Sequence, residues 1–485
     1  MMGMSSLASL PNDVIKLIMH HVPLRDRLGQ CCLVSKRMHS AAVAATQDVT
    51  LASMSTERAV SLLKWLPHHG DHLTRLELAV QQHELRQLPC PDLLDLSIRF
   101  CRVQLSAADD FPGVLQECTK LTRLHLFCEI VDAPGGAVAD SLSSLVHLQH
   151  LRINVPAATL PCMHHLTHLE GYSLSVESLL QLGGLSSLQE LHLSAAGGDM
   201  SKLYTAVGPS SVPGLSFPAS LKTLVLLSPV EAGILSLVPP GLQHLTVHRD
   251  VEGPAEGPGS FLSYMARLKH LTQLFLWPDS MVVFMHLPPA GPAYSALTAS
   301  SSLVRLEFCP LECPDGIWQY VFASHKLLHL TELKLADTLG WGEGVPYPSW
   351  GAADISSLIS CCPNLRVAEM LFLQPGLHVS ELHKLTALTR LSVNIDRPDW
   401  SDYEGSVSGL AAVTQLRRLF VGLASDTVKV AHLLPLTSLT ALHMLAVDVN
   451  NVDEDEHLWL DTPVSETEGV PHLCTLQMSS PAHCS

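Results

Sequence analysis

Residues 73–78 read LTRLEL, and the phrase returns as LTRLHL at 121–126, LQELHL at 188–193, LKTLVL at 221–226, LTQLFL at 271–276 and LTELKL at 330–335. With looser copies included, a leucine, two free residues, a second leucine, one free residue and a third apolar residue recur sixteen times between Leu73 and Met478. The first leucines of successive copies lie 18 to 35 residues apart, about 27 on average, which is the period of an architecture built from one strand per turn. Side chains alternate between the two faces of a strand, so the second and third apolar positions point one way and the residues between them the other. A single strand of this kind cannot bury its apolar face, but copies stacked in parallel can. The phrase therefore predicts an α/β solenoid with one long parallel sheet rather than a globule.

The segments between copies complete each turn. TERAVSLLKWL from Thr56, VESLLQLGGL from Val176, SFLSYMARL from Ser260 and ADISSLISCC from Ala353 place apolar residues three and four apart, as short helices on the outer side of the stack require. The whole pattern resembles the leucine-rich-repeat family over roughly 400 residues, which implies a horseshoe with a parallel sheet on its concave side. Two copies are degenerate: Gly171 holds the third apolar position of one, and Ala368 replaces the second leucine of another. The family's asparagine, expected two residues past the strand, is mostly missing; Cys101 fills that slot once.

A different pattern precedes the repeats. Residues 7–45 read LASLPNDVIKLIMHHVPLRDRLGQCCLVSKRMHSAAVAA. Val14, Leu17, Ile18 and Val22 recur at helical spacing from a start at Asn12. A second short helix is expected after Pro23 with Leu24 and Leu28, and a third with Val34, Met38 and Ala42. Three helices in about forty residues bury little surface, so the module needs a neighbour. The order of Leu-Pro, an acidic residue, a run of aliphatics and then Val-Ser-Lys-Arg resembles the F-box family, with Leu10, Pro11, Val14, Ile15, Ile18, Leu24, Leu28, Val34, Ser35 and Arg37 on matching positions. Met38 departs from it, standing where that family most often has tryptophan.

The resemblance implies that Leu10, Pro11, Val14, Ile15, Ile18, Leu24, Leu28 and Val34 bind a Skp-type adaptor, and through it a cullin. It also implies that the repeats hold a protein substrate of a ubiquitin ligase. The expected organisation is a three-helix F-box-like module over 1–48, a helical connector and half-repeat over 49–72, and the repeats over 73–485. A helical cap on the end of a solenoid, or a scaffold for a cytoskeletal or ciliary assembly, is the alternative for the same residues.

Composition narrows the classes of function. A formal charge of -17 argues against a nucleic-acid partner, because phosphate binding needs concentrated lysine and arginine. No run of eighteen apolar residues free of charge or proline occurs, so a spanning helix and a membrane partner are not expected. Pro11, Asp13 and Lys16 interrupt any secretory leader, and thirteen cysteines at irregular spacing fit reduced thiols, which points to cytoplasm or nucleus. After Lys429 there is no lysine or arginine, while Asp448, Asp453, Glu454, Asp455, Glu456, Asp461, Glu466 and Glu468 accumulate; a solvated acidic insertion is the simplest reading.

No phosphate loop and no nucleophile elbow is present. HELRQ at His83 lacks the second histidine of a zinc protease. The His68, His69, His72 and His164, His165, His168 sets run into strands, and Cys309 and Cys313 stand without a matching pair. No cofactor, metal site or catalytic group is expected.

The free residues of the phrase should line the sheet, where repeat proteins commonly bind. Early copies present Arg75, Glu77, Asp95, Arg99, Arg123, His125, Phe127, His150 and Arg152; middle ones Val225, Leu227, His244, His248, Phe275 and Trp277; a late one Arg418 and Phe420. Arg99, Arg123, His125, Phe127, Arg152, Phe275, Trp277 and Phe420 are the candidate substrate contacts, since aromatic and arginine side chains dominate binding hot spots. Two long aromatic loops, with Trp341, Tyr347 and Trp350 and with Trp400 and Tyr403, either bind or pack.

Overall fold

The computed structural model describes residues 11–22, 36–51, 56–80, 88–100, 115–128, 142–154, 160, 163–172, 174, 176–194, 209–210, 212–228, 230–248, 251–252, 260–276, 291–308, 316–323, 325–335, 350–370, 379–395, 407–423 and 430–449. The chain forms two compact units, residues 1–205 with 211–221, and residues 206–210 with 222–485.

In the first unit the strands are β1 (Asp48–Leu51), β2 (Arg75–Val80), β3 (Asp95–Phe100), β4 (Arg123–Cys128), β5 (His150–Asn154), β6 (His168–Tyr172) and β7 (Glu190–Ser194). Each pairs in parallel with the next in chain order, and the second leucines fall in register: Leu76, Leu96, Leu124, Leu151, Leu169 and Leu191. All six are buried together with the first leucines of their copies, which makes the core a row rather than a centre.

The second unit continues the rule with β8 (Thr223–Leu226), β9 (Val230–Glu231), β10 (His244–Val247), β11 (Val251–Glu252), β12 (Gln273–Leu276), β13 (Arg305–Phe308), β14 (Glu332–Leu335), β15 (Val367–Met370), β16 (Arg390–Ile395), β17 (Arg418–Leu423) and β18 (Met444–Val449). β9 and β11 form a small ladder of their own; the others pair in sequence. Each unit is a leucine-rich-repeat solenoid ladder.

A threonine locks the start of several strands. In copies that open with Leu-Thr, the Thr Oγ1 donates to the carbonyl at the equivalent place in the preceding copy: Thr74 to Gln47 at 3.4 Å, Thr122 to Leu94 at 3.0 Å, Thr167 to Gln149 at 3.0 Å, Thr272 to Gln243 at 3.1 Å, and Thr331 to Val304 and Thr389 to Arg366, both at 3.3 Å. The same carbonyls accept the threonine's own backbone N–H and the next one, so one oxygen anchors three donors.

The degenerate copy at Gly171 has a steric cause. A Cβ there would lie 2.6 Å from the Leu174 side chain, which fills the place a third leucine would take. Ala368 is buried like the leucines it stands among.

The four expected helices form, over Thr56–His69, Val176–Gln181, Phe261–Met265 and Ala352–Cys361. Trp350, expected in a long loop, is fully buried and stacks on Trp318 with ring centroids 4.5 Å apart and planes 5° apart. Asp354 ties the helix it opens to a neighbour: Oδ2 accepts from Gly351 N at 2.8 Å and Oδ1 from Gln319 N at 3.1 Å. Trp341, Tyr347, Trp400, Tyr403, His83, Cys309, Cys313 and the acidic residues 453–468 lie outside the described residues.

At the start of the chain, α1 (Asn12–His20) and α2 (Lys36–Ala44) pack through Ile15, Met19, Ala41, Ala42 and Ala45. The alanines let the helices approach closely, and Val22 and Met38 close the edges. The expected middle helix, with Leu24, Leu28 and Val34, lies outside the described residues, as does Leu10. Only Ala45, Thr46 and Gln47 separate α2 from β1, and Thr46 Oγ1 donates to Ala42 O at 2.8 Å. Asp48, expected at the end of the helical module, and residues 49–51, expected to open the connector and half-repeat, form one paired strand, and the helices fall in the same compact unit as the first repeats.

Candidate functional site

Two surfaces carry the candidate residues. On α1, side chains one turn apart divide between inside and outside. Ile15 and Met19 are buried, whereas Val14 is 39% exposed, Leu17 62% and Ile18 37%. Val14, Leu17 and Ile18 recur at three and four and so share one face. Ile15, expected at an adaptor contact, is taken into the helix-pair core because α2 offers only small alanines opposite it, leaving room for a large residue. Leu17, which was absent from the expected contacts, is the most exposed apolar side chain of the three.

The second surface is the sheet face opposite the leucines. In the first unit its register lines up two ionisable rows: Asp48, Arg75, Asp95, Arg123, His150, His168 and Glu190, and beside it Glu77, Ser97, His125, Arg152, Glu170 and His192. Arg75 lies 3.8 Å from Asp95. Arg152 lies 3.2 Å from Glu170, donates to the Tyr172 hydroxyl at 3.1 Å and covers the Tyr172 ring; Tyr172 donates to Glu170. Glu190 meets two imidazoles, His168 Nε2 at 3.2 Å and His192 Nε2 at 2.8 Å.

His150 stacks on His168 with centroids 4.1 Å apart. Its protonation is held below the ordinary imidazole range, first by burial and then by the nearby His168 and Arg123, with Glu190 opposing. A depression of ≈ 130 Å³ opens among these side chains, with His125, His150, Arg152, His168 and His192 on its wall beside the two carboxylates Glu170 and Glu190. Among the described residues no group of three or more His, Cys, Asp or Glu is arranged to hold a metal ion.

The candidate contacts fall into three kinds. Arg99 lies over the Phe127 ring at 5.3 Å, Arg305 over Phe275 at 4.8 Å and Arg390 over Phe420 at 5.4 Å, so each ring is held by a cation from an adjacent strand. Arg152 is engaged as described, while Arg123 and His125 face outward beside the depression. Trp277 lies outside the described residues.

Sequence reading missed the carboxylates that fix these arginines: Glu307 at 2.9 Å and Glu332 at 3.4 Å from Arg305, and Glu369 at 3.2 Å from Arg390 and 3.6 Å from Lys334. All are free residues of the phrase, and reading across copies instead of along them would have found them.

Four cysteines among the described residues are free and buried. Burial, reinforced by nearby acidic groups, pushes the Cys90 and Cys118 thiols up to about 12, so they are inert packing rather than nucleophiles. No described helix is long and apolar enough to cross a membrane.

Comparison with known proteins adds one assignment. Residues 7–43 match the F-box domain family. No curated protein matches the chain. Among solved structures the chain is similar to a leucine-rich-repeat protein of Leptospira interrogans, at 16% identity over 80% of this chain and 94% of that one, TM-score 0.40. It is also similar to the circular leucine-rich-repeat protein CroV588, at 15% identity over 84% and 60%, TM-score 0.35. The third is the leucine-rich-repeat-containing protein LegL7 from Legionella pneumophila, at 10% identity over 75% and 97%, TM-score 0.29.

Proposed function

We propose, from the premise that an F-box at residues 7–43 stands ahead of leucine-rich-repeat strands, that this chain is the substrate-recognition subunit of an SCF-type cullin-RING ubiquitin ligase. F-box domains generally bind Skp-type adaptors, and in this reading α1 supplies the contact. The carrying observation is that Val14, Leu17 and Ile18 stand exposed on one face of α1 while Ile15 and Met19 hold it to α2. An apolar face that a helix pair leaves uncovered suits a hydrophobic partner surface. Pro11, Leu10, Leu24, Leu28 and Val34 extend the proposed contact along the F-box segment.

The sheet faces then hold the client. Their arginine-covered rings are preorganised, which lowers the entropy lost when a partner docks. The chain itself contributes no catalytic group in this reading; it positions a protein for modification by the cullin-bound enzyme, in cytoplasm or nucleus.

The test is co-expression of the full chain with a Skp-type adaptor, followed by affinity capture. The wild type is expected to retain adaptor, and Leu17→Asp with Ile18→Asp to lower its affinity at least about tenfold, as loss of central apolar anchors does. Ile15→Asp is not a contact probe, because it would unfold the helix pair. Adaptor absent from the wild-type sample, or equally present with the double variant, would sink the ligase reading and leave the scaffold one.

A further inference from the structure

On the sheet face of the first unit five of the eight described basic side chains are engaged by a carboxylate or, for Arg99, a phenylalanine ring. Arg75 has Asp95, Arg152 has Glu170 and Tyr172, His168 and His192 share Glu190, and Arg99 lies over Phe127. Arg123, His125 and His150 are the exception: among the described residues none of the three lies within ion-pair distance of a carboxylate. The register makes them neighbours, since Arg123 and His150 are directly paired across β4 and β5, and His125 sits two residues beyond Arg123 on the same face.

We propose that Arg123, His125 and His150 form a receptor for an anionic side chain, carboxylate or phosphate, carried by a protein segment laid across β4 and β5; this rests on the client-binding reading of the sheet. Three groups that are or become cationic crowd together without an ion pair of their own, since Asp95, beside Arg123 in the register, lies 3.8 Å from Arg75, and an anion arriving between them relieves that repulsion. The acidic residues nearby cannot serve, because Glu170 and Glu190 are committed to Arg152, Tyr172, His168 and His192. The adjoining depression of ≈ 130 Å³ takes a side-chain head group rather than a whole metabolite, which favours a protein segment as its occupant.

A pH dependence follows from what faces His150: Arg123 and His125 from β4, Arg152 on its own strand, His168 and Glu170 from β6, and Glu190 from β7. Free, His150 resists a second positive charge. With an anion bound it accepts a proton more readily, so binding takes up protons and tightens as pH falls towards 6.

The probes are fluorescein-labelled hexaglutamate, a glutamine peptide of equal length with one phosphoserine, and hexaglutamine, titrated against the full chain by fluorescence anisotropy at low salt. With a chain charge of -17, long-range attraction works against the anionic peptides, so binding reports a local receptor. At least one anionic peptide is expected to bind while hexaglutamine does not, and hexaglutamate, ionised throughout, is expected to bind more tightly at pH 6.0 than at pH 7.5. Arg123→Gln with His150→Gln should weaken binding about tenfold and flatten the pH profile. Arg123→Lys should keep most of the affinity, and Lys326→Gln, exposed on the second unit and outside its strands, should change nothing.

Absence of binding by both anionic peptides, or unchanged affinity in the Arg123→Gln, His150→Gln variant, overturns the proposal. Displacement of the phosphopeptide by inorganic phosphate at equal concentration also overturns it, by showing a free-anion site. Adaptor capture run on the same samples separates the two readings: it is expected to be unaffected by these variants, and its loss in the wild type would condemn the ligase reading without touching the peptide result.

Discussion

In the first unit the sheet face is a grid of ionisable side chains, running from Asp48 through Arg75, Asp95, Arg123, His150 and His168 to Glu190. In the second unit the row at the place that Glu77, Ser97, His125, Arg152, Glu170 and His192 hold in the phrase begins with Val225, Thr246 and Phe275, becomes charged at Glu307, Lys334 and Glu369, and turns apolar again at Phe420 and Ala446. Behind the sheets the contrast reverses. The first unit is filled mainly by leucines with the buried thiols Cys90 and Cys118, and the second holds a cluster of Tyr294, Phe308, Trp318, Phe322 and Trp350. One strand phrase thus supports two unlike surfaces and two unlike cores. The leucines fix the backbone, and the residues between them vary without disturbing it.

The contrast between cores gives the largest expected effect. Trp318→Ala removes a fully buried indole stacked on Trp350 and packed edge-on to Phe308 at 6.2 Å, and should destabilise the second unit by about 4 kcal/mol in chemical denaturation. A loss below about 1.5 kcal/mol would mean that the aromatic cluster is no tighter than an ordinary leucine layer.

The contrast between faces comes next. Arg305 pairs with Glu307, a carboxylate only 6% exposed, whereas Arg75 pairs with Asp95 while itself 56% exposed. Arg305→Ala strands Glu307 and should cost about 2 kcal/mol, recovered in part by Glu307→Gln on the same chain. Arg75→Ala should cost no more than about 0.5 kcal/mol. Equal losses would erase the distinction between a structural ion pair and a solvent-exposed one.

The last effect is nil at neutral pH and concerns the thiols of the first unit. Their folded values near 12 lie above the 9.0 of a free thiol, so unfolding releases protons at high pH. The stability they contribute is complete below pH 9 and is lost as pH rises towards 12, by about 1.4 kcal/mol per pH unit for each thiol in that window. The advantage in denaturation midpoint of wild type over Cys90→Ala, Cys118→Ala should therefore shrink or reverse between pH 8 and pH 10.5. Parallel midpoints would show that burial does not hold these protons.

Periodicity made the strands and their buried face legible, because every leucine of the clean copies is in the core. It missed β1, since Asp48–Leu51 carries no leucine phrase; what marks it as a strand is that Gln47 O receives the N–H groups of Thr74 and Arg75, as the matching carbonyl does in later copies. The Leu-Thr pairs were visible in the sequence, yet their role needs the preceding carbonyl, a contact between residues 18 to 29 positions apart. On α1 the sequence could not separate Ile15 from Ile18, because both are isoleucine and only the alanines of α2 decide which is covered. Trp350 looked like a loop aromatic among glycines and prolines, and only Trp318, more than thirty residues earlier, explains its burial.

The three-residue join between α2 and β1 has one more consequence. With so little slack, the first unit has the build of a ruler: each strand beyond β1 adds a step of about 4.8 Å, so under the proposed function a client held at β4 and β5 would sit a set height, on the order of 15–20 Å, above the strand that follows the F-box segment. Which lysines of that client come within range of a ubiquitin-charged enzyme would then be decided by counting strands, and gaining or losing one copy ahead of β4 would shift the choice without altering a single binding residue.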